Sequence, residues 1–107
     1  MAAETVTKED FNQKVLDEKN KVVLVDFWAE WCGPCRMLGP VIDSLSEKHQ
    51  DVLATYKLNT DKDPDIAQQY QISTIPCCIL FKDGKEIHRM IGHKPEAAFD
   101  EELQQHL

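Results

Sequence analysis

Two thiols three residues apart, in Trp31-Cys32-Gly33-Pro34-Cys35, stand where an apolar strand runs into a helix. The strand is expected over Val22 to Ala29, an almost unbroken apolar run of the kind that is covered on both faces. The helix is expected from Arg36 to about His49, with Pro34 at its first position, where a missing N–H costs nothing. Residues i and i+3 share a helix face, so Cys32 and Cys35 can close a disulfide with little backbone movement. Gly33 lets the chain bend tightly between them. The partial positive charge at the helix start favours a thiolate at Cys32, making it the nucleophile. Cys35, one turn further in, is suited to attack the mixed disulfide that Cys32 forms. A Cys-x-x-Cys pair is also half of a zinc site. The remaining thiols, Cys77 and Cys78, are adjacent rather than a second spaced pair, and strand neighbours point to opposite faces, so redox chemistry is the reading taken and no metal is assigned.

The wider composition bounds the answer. A chain of 107 residues supports one core, and a single domain over 1–107 is expected. The net charge of −7 argues against nucleic acid or an anionic membrane as partner. The first residues lack the basic start and apolar run of a signal peptide, and no stretch approaches membrane-spanning length, so a reducing cytoplasmic setting is expected. Four cysteines in that setting read as redox or buried thiols rather than structural cross-links.

The elements needed to hold the dithiol alternate along the chain. Thr7 followed by Asp10 reads as a helix start, with Phe11, Val15 and Leu16 as an apolar stripe to about Lys19. In the helix after the dithiol, Leu38, Val41, Ile42 and Leu45 recur at helical spacing and face a sheet, while Pro40 is expected to kink it. Val52 to Leu58 reads as a second central strand, and Asp63-Pro64-Asp65 opens a short helix ending near Tyr70. Ile79-Leu80-Phe81 is a strand, Lys82-Asp83-Gly84-Lys85 a hairpin turn, and Glu86 to Ile91 the antiparallel return. Pro95 starts a last helix with Phe99 and Leu103 inward. This succession predicts an α/β fold, a mixed sheet between helices.

Taken together, Asp26 through Cys35, Pro40, Lys57, Ile75-Pro76, Phe81-Lys82-Asp83-Gly84 and Gly92 resemble the thioredoxin family, over essentially the whole chain. The resemblance implies a five-stranded central sheet flanked by four helices. It implies a general protein-disulfide reductase that needs no bound cofactor, is re-reduced by a thioredoxin reductase or a similar electron donor, and acts, as a monomer, on disulfide-containing proteins. Asp26 stands in a run that must be buried, where an unpaired carboxylate resists ionisation. By resemblance it is the buried acid that handles the proton of Cys35, with Lys57 as its charge partner. Trp28 and Pro40 support the site, and Trp31 lies at its rim. Pro76 is implied to be cis, leaving the Ile75 backbone to pair with an extended target segment. Gly33, Pro34, Ile75 and Gly92, with Pro76 beneath them, form the implied docking patch, and Ala29 helps keep it flat. Arg36 stands where many members have lysine and keeps a positive charge beside Cys32.

The chain departs from the family at Cys77-Cys78, where a threonine and an aliphatic residue are usual. The two are read as small buried hydrophobes, with a second redox or regulatory role as the alternative. The four histidines show no ligand spacing, and His93 beside Gly92 reads as solvated. Two other functions share this fold: a disulfide oxidase or isomerase, which carries other residues between the cysteines, and a redox-independent binding subunit.

Overall fold

The computed structural model describes residues 3–107. Five strands form one mixed sheet in the order β1-β3-β2-β4-β5. These are β1 (Glu4–Thr5), β2 (Val22–Trp28), β3 (Leu53–Asn59), β4 (Cys77–Lys82) and β5 (Lys85–Ile91). Helices α1 (Gly33–Lys48), α2 (Pro64–Gln69) and α3 (Glu96–Gln104) and a π-helical turn over Asn12–Leu16 cover its faces. β2 pairs in parallel with β3 and antiparallel with β4, and all of its residues except Trp28 are buried. That double cover is what its unbroken apolar run requires.

Strand alternation splits the core in two. Val23, Val25 and Phe27 point to one face, where Phe11 and Val15 and then Ile66 of α2 close the cluster. Val22 and Leu24 point to the other, where Leu38, Ile42 and Leu45 of α1 and Phe99 and Leu103 of α3 pack. Asp26 follows Leu24 by two residues and therefore projects into the α1 face. Cys77 and Cys78 divide in the same manner, one into each cluster.

The hairpin between β4 and β5 turns on two residues, Asp83 at φ 53° and Gly84 at φ 78°. Paired left-handed conformations match the twist of the flanking strands. A Cβ on Gly84 would stand 2.9 Å from the Leu16 carbonyl oxygen, so only glycine fits there.

Two local expectations are corrected and one strand is added. The segment after Thr7 is not a helix to Lys19. Asp10 accepts hydrogen bonds from the Thr7 N–H at 2.8 Å and hydroxyl at 3.2 Å, as a helix start requires, but only a five-residue π-helical turn follows, closed by Asp17 N–H to Asn12 O at 2.9 Å. The dithiol helix begins at Gly33 rather than Arg36, with Cys32 as N-cap, so Pro34 is its second residue; the helix continues through Pro40. The two-residue edge strand β1 pairs with Tyr56 and Lys57 and carries no sequence pattern long enough to recognise.

Asp100 of α3 ties that helix to the end of α1. It accepts from Lys48 Nζ and stands 2.7 Å from His49 Nε2. Burial opposes its charge, but the bonds from Lys48, His49 and Gln104 win and hold its pKa at about 2. A depressed carboxylate contributes stability that is present above the unfolded-state value and lost as pH falls through the folded one. Asp100→Asn is therefore expected to cost roughly 1–2 kcal/mol at neutral pH, with the difference from the parent vanishing between about pH 4 and pH 2. Urea melts at several pH values check this, and a pH-independent difference counts against it.

Candidate active site

The site forms where β2 ends. The chain leaves Trp28, turns through a Cys32 N–H to Ala29 O bond of 3.2 Å, and enters α1 at Gly33. Cys32 caps the helix with its sulfur, which accepts the Cys35 N–H at 3.2 Å. A sulfur in that place faces main-chain N–H groups with no helical partner, which stabilise negative charge on it. Cys32 and Cys35 are joined as a disulfide, with Cα atoms 5.2 Å apart. The two residues are almost equally covered, at 4% and 3% exposure, so exposure does not distinguish their roles. Their positions differ: Cys32 is the N-cap of α1 and Cys35 lies within its first turn.

A second loop meets the dithiol at the same end of the sheet, because β4 begins at Cys77, opposite Phe27 near the end of β2. The Ile75–Pro76 peptide bond is cis, as the resemblance implies, and the Ile75 carbonyl oxygen is 3.8 Å from Cys32 Sγ. Among the described residues no main-chain group takes the Ile75 N–H. Gly92, at φ 90°, donates its N–H to Pro76 O at 2.8 Å and so draws the end of β5 beside this loop. A Cβ at Gly33 or Gly92 would meet nothing within 4 Å, so both lie under open space. Pro34 is exposed, and Trp31 is 68% exposed. The Trp31 indole N–H donates to Asp61 at 2.9 Å, a contact that pins this rim side chain and that no local sequence pattern foretells. Arg36 is turned to the Glu30 carbonyl, 2.6 Å from its Nη1. His93 is exposed.

Beneath the disulfide, Asp26, Trp28, Cys35, Arg36, Gly39 and Lys57 line a cavity of about 220 Å³. Asp26 is 1% exposed. Burial pushes its carboxyl up to about 7, against the opposing pull of the Lys57 charge and of a hydrogen bond from Cys78. Lys57 lies opposite Asp26 in the β2–β3 register, but its direct ion pair is with Asp43 of α1, at 3.0 Å. The expected Asp26–Lys57 pairing is thus an effect of proximity and not a salt bridge. Asp43 stands one turn after Gly39 on α1, and no local sequence pattern links it to β3.

Cys77 and Cys78 are buried, at 1% and 0% exposure, and burial pushes both thiols up. A raised, covered thiol is unreactive. Alkylation of the folded, oxidised protein is expected to leave both untouched, and denaturation to release two labelled sites at Cys77 and Cys78. Peptide mapping reads the result, and rapid native labelling of either contradicts it.

A disulfide between a helix N-cap and the first turn of that helix, beside a cis-proline loop whose Ile75 N–H meets no main-chain acceptor among the described residues, defines the class: a thiol–disulfide oxidoreductase. The comparisons narrow this. The thioredoxin family model matches residues 2–105. Thioredoxin 1 of Nostoc sp. is 42% identical over 106 residues, spanning 99% of this chain and 98% of its own length. Thioredoxin 1 of Synechococcus elongatus is 44% identical over 105 residues, spanning 98% and 97%. The chloroplastic M-type thioredoxin of Chlamydomonas reinhardtii is 42% identical over 105 residues, spanning 98% of this chain and 74% of its own. The chain belongs to the thioredoxin family. It is a protein-disulfide reductase, a carrier that stores two electrons in the Cys32–Cys35 dithiol.

Proposed function

We propose that the two cysteines divide the work, with Cys32 attacking and Cys35 resolving. The observation that carries this is the capping geometry: Cys32 Sγ accepts the Cys35 N–H at 3.2 Å, at the positive end of a sixteen-residue helix. In the reduced protein the Cys32 thiolate attacks one sulfur of a target disulfide. A Cys32–target disulfide forms, and one target thiolate leaves. Cys35 then gives its proton to Asp26, across the cavity that the two residues line, and its sulfur attacks Cys32 Sγ. The second target thiolate leaves and is protonated, the target has gained two electrons, and the Cys32–Cys35 disulfide remains. A carboxyl with a pKa of about 7 is matched to accepting a proton near neutral pH and releasing it again.

Docking of the target falls to Trp31, Gly33, Pro34, Ile75, Pro76 and Gly92. The Ile75 N–H, which meets no main-chain acceptor among the described residues, and the Ile75 carbonyl beside Cys32 suit the backbone of an extended segment. Lys57 supplies positive charge near Asp26 and Trp28 lines the cavity beneath the disulfide, while the supporting role of Pro40, exposed on α1, rests on the family resemblance alone. The family implies an electron donor and disulfide-bearing targets. The finer reading is a thioredoxin reductase or similar donor, no nucleic acid or membrane partner, and a monomeric single domain over 1–107 that works in the cytoplasm. No helix among the described residues is long and apolar enough to cross a membrane.

The test is insulin reduction coupled to a thioredoxin reductase. Sustained turnover that vanishes in Cys32→Ser is expected. Single-turnover reduction with no recycling by the reductase overturns the carrier reading. A reduction potential near that of strong disulfide oxidants favours the oxidase alternative instead.

A further inference from the structure

Asp26 is flanked on its own sheet face by two register partners, Lys57 of β3 and Cys78 of β4. Directly opposed residues of antiparallel strands project side by side. Cys78 Sγ is accordingly 3.8 Å from Asp26 Oδ1, with both residues at or below 1% exposure. Lys57 is engaged with Asp43 of α1, and Cys35 and Arg36 approach from the same helix to line the cavity. Among the described residues, the thiol of Cys78 is the hydrogen-bond donor that reaches the carboxylate. Cys78 otherwise belongs to the apolar cluster of Leu24, Leu38 and Leu80, and among the described residues Asp26 is the acceptor recorded for its thiol.

We propose that Cys78 is a positioning residue for disulfide exchange: its S–H, donated to Asp26 Oδ1, anchors the carboxylate at the floor of the cavity shared with Cys35. The inference rests on the reading of Asp26 as the group that takes the Cys35 proton. Thiol donors are weak, but inside an apolar cluster even a weak bond to the charged form favours that form. The effect is in that direction here, since the Cys78 bond lowers the Asp26 pKa against the larger upward push of burial. Reciprocally, burial and the Asp26 charge push the Cys78 thiol up, so it keeps the proton it donates and takes no part in electron transfer. The cysteine that departs from the family pattern thus performs a task that an aliphatic side chain cannot.

The test compares Cys78→Val and Cys78→Ala, which remove the donor, with Cys78→Ser, which keeps one. The readouts are the NMR titration of the Asp26 carboxyl and the pH profile of target reduction by the full chain. The donor-less variants are expected to titrate about half a pH unit higher, with about a two-fold slower reduction at pH 7. Cys78→Ser is expected to restore both. In an Asp26→Asn background, Cys78→Val is expected to add nothing. An Asp26 titration and pH profile unmoved in both donor-less variants overturn the proposal, as does an equal slowing with or without Asp26, which marks a packing effect. Wild-type rates in Asp26→Asn alone overturn the acid–base reading on which the proposal rests. A slowed Asp26→Asn with unchanged Cys78→Val and Cys78→Ala overturns the role of Cys78 only.

Discussion

Cys35→Ser is expected to turn the carrier into a trap. With Cys32 intact, attack on a target disulfide proceeds and the mixed disulfide accumulates, because no thiol remains to resolve it. Cys32→Ser loses the sulfur that sits against the helix N-terminus, and with it the attack itself. Both variants are expected to lose catalytic turnover by roughly a thousand-fold or more, as removal of a covalent nucleophile does elsewhere. They differ in what they retain. Non-reducing gels and mass spectrometry of cell extracts should show targets linked through Cys32 in the first variant and almost none linked through Cys35 in the second. Equal trapping by the two overturns the assignment. The contrast is informative because the two residues are covered alike, at 4% and 3% exposure, so accessibility alone predicts no difference.

Asp26→Ala is expected to make the oxidised protein more stable and a slower reductant. The folded carboxyl titrates at about 7, and an unfolded aspartate at about 3.9. Between those values the unfolded chain has released a proton that the folded chain still holds, so stability falls as pH rises from about 4 to about 7 and levels off above. A gap of about three units corresponds to roughly 4 kcal/mol at pH 8. Truncation of the side chain in a packed setting returns about 1 kcal/mol of that. A net gain of about 2–3 kcal/mol is expected at pH 8, shrinking to nothing or reversing near pH 4. Urea melts of the disulfide form at both pH values measure it. Reduction of targets is expected to slow by roughly ten-fold or more, the contribution of a placed proton acceptor. A variant less stable than the parent at pH 8, or one with unchanged reduction rates, contradicts the reading of Asp26 as a buried acid–base group.

These two expectations differ in how they could be reached. The roles of Cys32 and Cys35 follow from spacing within one turn of chain, together with the proline and glycine between them, and the structure moved only the helix boundary, from Arg36 to Gly33. The burial of Asp26 follows almost as directly, from a carboxylate set among Val25, Phe27 and their apolar neighbours. The magnitude of its shift does not. It depends on how near Lys57 stands and on Cys78, and each belongs to a different strand.

The amino-acid order alone therefore determined the succession of strands and helices from β2 onward, the hairpin at Asp83-Gly84, the dithiol at a helix start and the buried acid behind it. All of these depend on interactions among residues close along the chain: apolar periodicity, capping, turn conformation and the i, i+3 spacing of a helix. Only the tertiary structure decided that Lys57 is held by Asp43, that Trp31 is tied to Asp61, that a two-residue edge strand completes the sheet, and that Cys78 donates to Asp26. Asp26 and Cys78 lie 52 positions apart and meet because β2 and β4 pair antiparallel in one register. A slip of one residue would turn Cys78 to the opposite face. Register is settled by the whole apolar pattern of the sheet against its two helix layers, which no segment carries by itself, and so the contacts that depend on it become visible only in the folded chain.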